Sequence, residues 1–162
     1  MFFVALTSAY IVRKSQGNWY EFRLPEIFYY SSAVILLSSV VLHASYMSFL
    51  KGNEKLYKGL LSLSFLLGAS FLGLQYLGWT KLNSMGIYMD TNPSAAFVFA
   101  ITLIHAMHLL VGLIVLLVAL LMAFSQKYEV TPLRKLRFEL TLTIWHFFDI
   151  LWIYLIVFVL TQ

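Results

Sequence analysis

The sequence predicts an all-α integral membrane helical bundle, with four full transmembrane helices and one partial helix at the N-terminus. Three observations carry this. Hydrophobic residues make up 61% of the 162-residue chain and charged residues only 11%, against roughly 25% charged in an average soluble domain. Four apolar runs each reach the roughly 20 residues that a helix needs to cross about 30 Å of hydrocarbon. The 11 Lys and Arg residues stand between those runs rather than along one face. A pI near 9.3 therefore reflects loops anchored at lipid headgroups, and not a nucleic-acid surface. The absence of cysteine removes disulfide frameworks, zinc–thiolate sites and iron–sulfur clusters.

The elements follow in order. Residues 1–12 are apolar but too short to span, and Arg13 and Lys14 close them. A signal peptide carries its charges before the apolar stretch, so this segment reads as the end of a transmembrane helix whose beginning is missing, or as a helix starting inside the bilayer. The second span, 27–50, is opened by Leu24-Pro25-Glu26, where a proline in the first turn sacrifices no hydrogen bond. Lys51-Gly52-Asn53-Glu54-Lys55 is a tight polar turn into the third span, 59–79. Thr91-Asn92-Pro93-Ser94 supplies capping residues for the fourth, 95–124, which is long enough to demand tilt or protrusion. Thr131-Pro132-Leu133-Arg134-Lys135 leads into the fifth, 140–160. No internal repeat or composition shift divides the chain, so 1–162 reads as one transmembrane domain.

Connections alternate sides of the membrane. Arg13, Lys14, Arg23 and Lys81 fall on one side, and Lys51, Lys55, Lys58, Lys127, Arg134, Lys135 and Arg137 on the other. The positive-inside rule makes the second side cytoplasmic and leaves the C-terminus outside. Trp19, Tyr20, Trp79 and Tyr88 fit an aromatic belt at the outer interface.

The functional information is concentrated in ionisable residues deep within the last two spans: His105, His108, His146 and Asp149. Hydrocarbon penalises such groups by roughly 2.5–3.5 kcal/mol for a central Asp, so they need partners or a task. His105 and His108 are three residues apart and share a helix face. A haem or metal site is one reading, with His43 and His146 as possible second ligands. Without Cys, with few acids and no matching pair on another span, that is a poor ligand set. Hydrogen-bonded glue between helices is the plainer reading. Trp145-His146-Phe147-Phe148-Asp149 admits a proton relay or an interhelical polar cluster. His108 lies roughly 16 Å along its helix from the outer end, and Asp149 roughly 16 Å from the inner start of an antiparallel helix. Both are then near the midplane, and a histidine nitrogen is expected within hydrogen-bond reach of an Asp149 oxygen. Gly68, Gly73 and Gly78 with Gln75 in one span read as close helix packing with a buried amide bonding across; the hydroxyls of Ser31-Ser32 and Ser38-Ser39 in another can bond back to the preceding helical turn or across to a neighbour.

These motifs resemble those of one family. Ile104-His105-Ala106-Met107-His108 followed by Gly112 is similar to the penultimate helix of subunit III of haem-copper terminal oxidases. Trp145-His146-Phe147-Phe148-Asp149 through Trp152 resembles that subunit's last helix. Gly68 through Gln75 to Trp79, Leu24-Pro25 before Ser38-Ser39, and Met1-Phe2-Phe3 with Ala9-Tyr10 resemble the earlier helices, so the resemblance covers almost the whole chain. The form resembled is the short five-helix bacterial one, lacking its first residues. Two departures stand out: carboxylates of the family pattern are replaced by Leu6 and Gly78. The resemblance implies a non-catalytic accessory subunit of a respiratory oxidase that reduces dioxygen and pumps protons. It implies no cofactor in this chain, haem and copper in the partner subunits, bound phospholipid, direct contact with subunit I, association with subunit II, and a bacterial cytoplasmic membrane. Its implied site residues are a polar cluster (His105, His108, His146, Asp149) and packing positions Gly68, Gly73, Gln75, Gly112 and Trp145. The rival readings are a haem-b cytochrome using the intramembrane histidines and a small transporter; repeated halves or broken helices, expected of the latter, are not visible in the sequence.

Overall fold

The computed structural model describes residues 2–17, 25–90 and 92–161. Met1, Trp19, Tyr20, Arg23, Leu24 and Thr91 lie outside the described residues. Among the described residues, five α-helices follow one another: α1 (Phe2–Lys14), α2 (Ile27–Leu50), α3 (Glu54–Ser84), α4 (Pro93–Ser125) and α5 (Pro132–Thr161). Among the described residues, α2 to α5 are the helices long and apolar enough to cross a membrane.

Three helices run past their apolar runs, because hydrophobicity sets the span whereas capping sets the helix. α3 starts at Glu54 rather than 59: the Asn53 side chain accepts from the Leu56 backbone N–H at 3.3 Å. Lys58 then pairs with Glu54 one turn back at 2.6 Å, which supports a polar first turn. Gly52, at φ +80°, makes the reversal from α2 that a residue with a Cβ resists. α4 starts at Pro93, with Asn92 accepting from Ser94 N at 3.0 Å. α5 starts at Pro132 rather than 140, and Thr131 Oγ1 accepts from Arg134 N at 3.3 Å.

Seven buried positions of α2 form one line, Phe28, Ser31, Ile35, Ser38, Leu42, Ser45 and Phe49, with Ser39 and Ser48 buried beside it; those of α3 are Leu61, Ser64, Gly68, Phe71, Gln75, Gly78 and Leu82. Both follow an alternating three–four spacing, the heptad of an antiparallel coiled coil. Serine and glycine fill many of the seam positions, so the backbones approach closely and hydroxyls reach across. Ser38 donates to the Ser64 carbonyl at 3.0 Å and Ser64 donates back to the Ser38 carbonyl at 3.1 Å. Ser45 donates to the Tyr57 carbonyl at 2.9 Å. α2 and α3 form the most extensive helix pair in the molecule.

α4 packs on α3 and α5, α5 on α2, and α1 on α4. Phe3 of α1 stands beside His108 (5.4 Å between ring centroids) and Tyr10 beside Phe97 (5.7 Å). α1 is therefore antiparallel to α4 and begins level with its middle. Tyr128, in the α4–α5 connection, donates to the Phe49 carbonyl at 2.5 Å, and Lys58 lies over the Phe124 ring at 5.4 Å. The α2–α3 turn and the α4–α5 connection thus share one end of the bundle, the end that gathers seven of the 11 basic residues. Trp79 departs from the belt expectation. Its indole N–H turns inward and donates to Thr102 Oγ1 on α4 at 3.0 Å, while Tyr88 is exposed.

Candidate functional site in the last two helices

Trp145 is the centre of the packing. It is 1% exposed and lies in a seat made by two glycines on two other helices. A Cβ added at Gly68 of α3 would stand 2.6 Å from the far edge of the indole, and one at Gly112 of α4 would stand 2.9 Å from the Phe148 ring and 3.6 Å from Trp145. Gly78 is similarly close to Phe28, at 3.1 Å. Gly73 differs from expectation: nothing lies within 4 Å of its would-be Cβ, because it falls off the three–four seam. Gln75 is on that seam and donates to Ser31 Oγ at 3.2 Å.

The two histidines of α4 part company. His105 is fully buried and stacks on Trp152 of α5, with centroids 4.9 Å apart and planes at 29°. Phe71 meets its edge at 6.1 Å. Neither ring nitrogen of His105 makes a hydrogen bond among the described residues. Trp152 is held from its other side, donating Nε1–H to Ser32 Oγ at 2.9 Å. His108 turns outward and its Nδ1–H donates to the Ile104 carbonyl of its own helix at 2.7 Å. The expected hydrogen-bonded glue at His105 is thus replaced by ring stacking.

His146 and Asp149 face α2. Ser39 and His146 Nδ1 share a hydrogen bond, and the same nitrogen is 4.0 Å from Asp149 Oδ2. The expected histidine–Asp149 hydrogen bond is not made, since 4.0 Å is beyond hydrogen-bond reach. Both Asp149 oxygens are buried without a hydrogen-bond partner among the described residues. His43 joins this group, its ring 6.0 Å from that of His146. Three of the four predicted residues therefore fall into two sites: His146 and Asp149 with Ser39 and His43 between α2 and α5, and His105 in an aromatic stack between α4 and α5. His108 belongs to neither. Ser45 and Ser64 were the seam serines that sequence reasoning missed, beside the Ser31-Ser32 and Ser38-Ser39 pairs it named. The repeat of Ser31, Ser38 and Ser45 at heptad spacing is the signal that finds Ser45.

Because the described residues place no hydrogen bond within standard geometry on the Asp149 oxygens, Asp149→Asn is expected to change stability by less than about 1 kcal/mol, the scale of intramembrane polar couplings. Unfolding in mixed detergent checks this, and a loss several times larger would show a bonded carboxylate.

Residues 22–161 match the family described as Cytochrome c oxidase subunit III. The chain is 33% identical over 125 residues to cytochrome c oxidase subunit 3 of Gallus gallus, covering 77% of this chain and 46% of that one. It is 31% identical over 130 residues to the same subunit of Osphranter robustus (78% and 47%). It is 29% identical over 119 residues to cytochrome bo(3) ubiquinol oxidase subunit 3 of Pseudomonas putida (74% and 56%). The chain spans about half the length of the curated relatives it matches. The Trp145 seat, the two polar motifs on α4 and α5 and the four apolar spans all lie within the matched residues, and the chain is a multi-pass membrane protein that belongs to the cytochrome c oxidase subunit III family.

Proposed function

We propose that this chain is the accessory, non-catalytic subunit III of a respiratory haem-copper terminal oxidase, stabilising catalytic subunit I and assembling with subunit II in a bacterial cytoplasmic membrane. The observation that carries the reading is how the intramembrane ionisable groups are used. His105 stacks on Trp152, His108 bonds to its own helix, and His146 is engaged by Ser39. Among the described residues, no group of three or more His, Cys, Asp or Glu side chains is placed to hold a metal ion. We assign haem and copper to the partner subunits, and packing to this chain. The end carrying Lys51, Lys127, Arg134 and Arg137 is the cytoplasmic one, which leaves the C-terminus outside. A C-terminally tagged chain, expressed in its native membrane, is expected to bring down a haem-containing subunit. A stable isolated chain with dioxygen-reducing or transport activity would overturn the reading. The isolated chain is also expected to show no haem absorption band and no stoichiometric metal; a metal lost in His108→Ala would restore the cytochrome alternative.

Bound phospholipid fits a cleft of about 360 Å³ between α4 and α5 at the basic end. Val115, Val118, Met122 and Ile144 line it for an acyl chain, and Arg134 and Arg137 stand at its polar end. Arg134 is occupied, donating to Gln126 Oε1 at 2.8 Å and to the Lys127 carbonyl at 2.5 Å. Arg137 is the cation available for a phosphate. Arg137→Ala is expected to lower the phospholipid that copurifies with the complex, read by native mass spectrometry.

A further inference from the structure

The groove between α2 and α5 carries polar groups at a depth where lipid offers them nothing. His43 lies seven residues before the end of α2, and His146 seven residues beyond Glu139 on α5, about 10 Å along each helix. His43 is exposed, and its imidazole makes no hydrogen bond with the described residues, its recorded contact being the His146 ring at 6.0 Å. The His146 side chain is 35% exposed; Ser39 occupies its Nδ1, which leaves Nε2 without a hydrogen-bond partner among the described residues. Three outward-facing polar groups elsewhere in the spans satisfy themselves. Ser70 donates to Leu66 O at 2.8 Å, Thr143 to Glu139 O at 2.8 Å and His108 to Ile104 O at 2.7 Å. The two imidazoles do not, and they are bordered by Val40 (66% exposed), Met47 (43%) and Ile150 (71%). The groove thus has a polar centre and an apolar border.

A ring nitrogen facing hydrocarbon forfeits the hydrogen bond that water or protein would supply, and intramembrane ionisable residues accordingly face protein or a wet cavity. We propose that the α2–α5 groove at His43 and His146 is covered by a transmembrane helix of a partner subunit that brings a hydrogen-bonding side chain to that depth. This rests on the accessory-subunit reading and assigns it a face. The partner helix lies along the groove, apolar side chains against Val40, Met47 and Ile150, with a hydroxyl, amide or cationic side chain between the imidazoles. α4 presents the contrasting surface: Met107, Val111, Ile114 and Val118 are exposed there and match lipid without a polar partner.

The test places photoreactive benzoylphenylalanine at position 43, and separately at 146, and irradiates native membranes. The expected product is a covalent adduct with a transmembrane segment of another subunit at both positions. Adducts with lipid alone, or with a second copy of this chain, would overturn the proposal. In parallel, the double variant His43→Leu/His146→Leu is expected to leave the complex at least tenfold faster in mild detergent, and retention equal to the parent would also overturn it. Tagged purification separates the two readings. If no haem-containing subunit copurifies, the accessory role fails. If one does while position 43 labels lipid alone, the docking face alone fails.

Discussion

Trp145→Ala is expected to lower the stability of the bundle by about 2–4 kcal/mol. Truncating a buried Trp costs about 3–5 kcal/mol in water-soluble cores. Part of that is transfer from water, which helices already in lipid do not recover, so the lower range applies. What remains is packing: the indole fills the space between Gly68 and Gly112, and its removal leaves two glycine notches facing a void. Equilibrium unfolding in mixed detergent measures the loss. The same variant is expected to shorten the lifetime of the assembled complex, read as the rate at which this chain dissociates. A stability change below about 0.5 kcal/mol, the range of surface substitutions, would mean that the seat collapses freely and that Trp145 is not the lock.

The converse substitution, Gly68→Val, fills the seat from the other side. A Cβ alone would approach the indole to 2.6 Å and Leu113 to 3.0 Å, closer than carbon atoms approach without displacement. The indole is a rigid ring with helices on both sides, so it moves only by shifting α5. Overpacking of this kind costs about 1–3 kcal/mol, and two further methyl groups place Gly68→Val at the top of that range. The diagnostic is the double variant Gly68→Val/Trp145→Ala, which is expected to be more stable than the sum of its parts predicts, because the valine enters the space the indole leaves. A coupling of roughly 1 kcal/mol or more is the magnitude neighbouring residues show. Strict additivity would show that the two residues do not meet.

The spans were legible in the sequence because burial in hydrocarbon requires unbroken apolar runs, and 27–50 coincides with α2. The ends of the other spans were less so, since Asn53, Asn92 and Thr131 extend the helices into water by capping. Gly68, Gly112 and Trp145 were legible as packing residues; Gly73 was not separable from them by type. The polar cluster was overdrawn for a geometric reason. Sequence gives depth along a helix directly, but facing only through residue spacing. Residues three apart differ by about 60° around the axis, enough for His105 to enter the core while His108 turns out of it. The depth argument for Asp149 and His108 was sound in one dimension and silent on the angle. The serine seam was written in the sequence as plainly as the spans. It escapes a search for hydrophobic periodicity because serine carries the repeat there.

The seat of Trp145 also bears on the order of events during biosynthesis. α2 and α3 exchange hydrogen bonds between Ser38 and Ser64 and from Ser45 to Tyr57, a hairpin available once both have left the ribosome. The indole, by contrast, has no place to go until Gly68 and Gly112 have been brought together, because each supplies only one wall. Closure by α5 therefore reports that α3 and α4 have already met correctly. A chain in which that earlier pairing has failed presents a loose last helix with a large aromatic side chain uncovered, a difference that membrane proteases and assembly factors can detect.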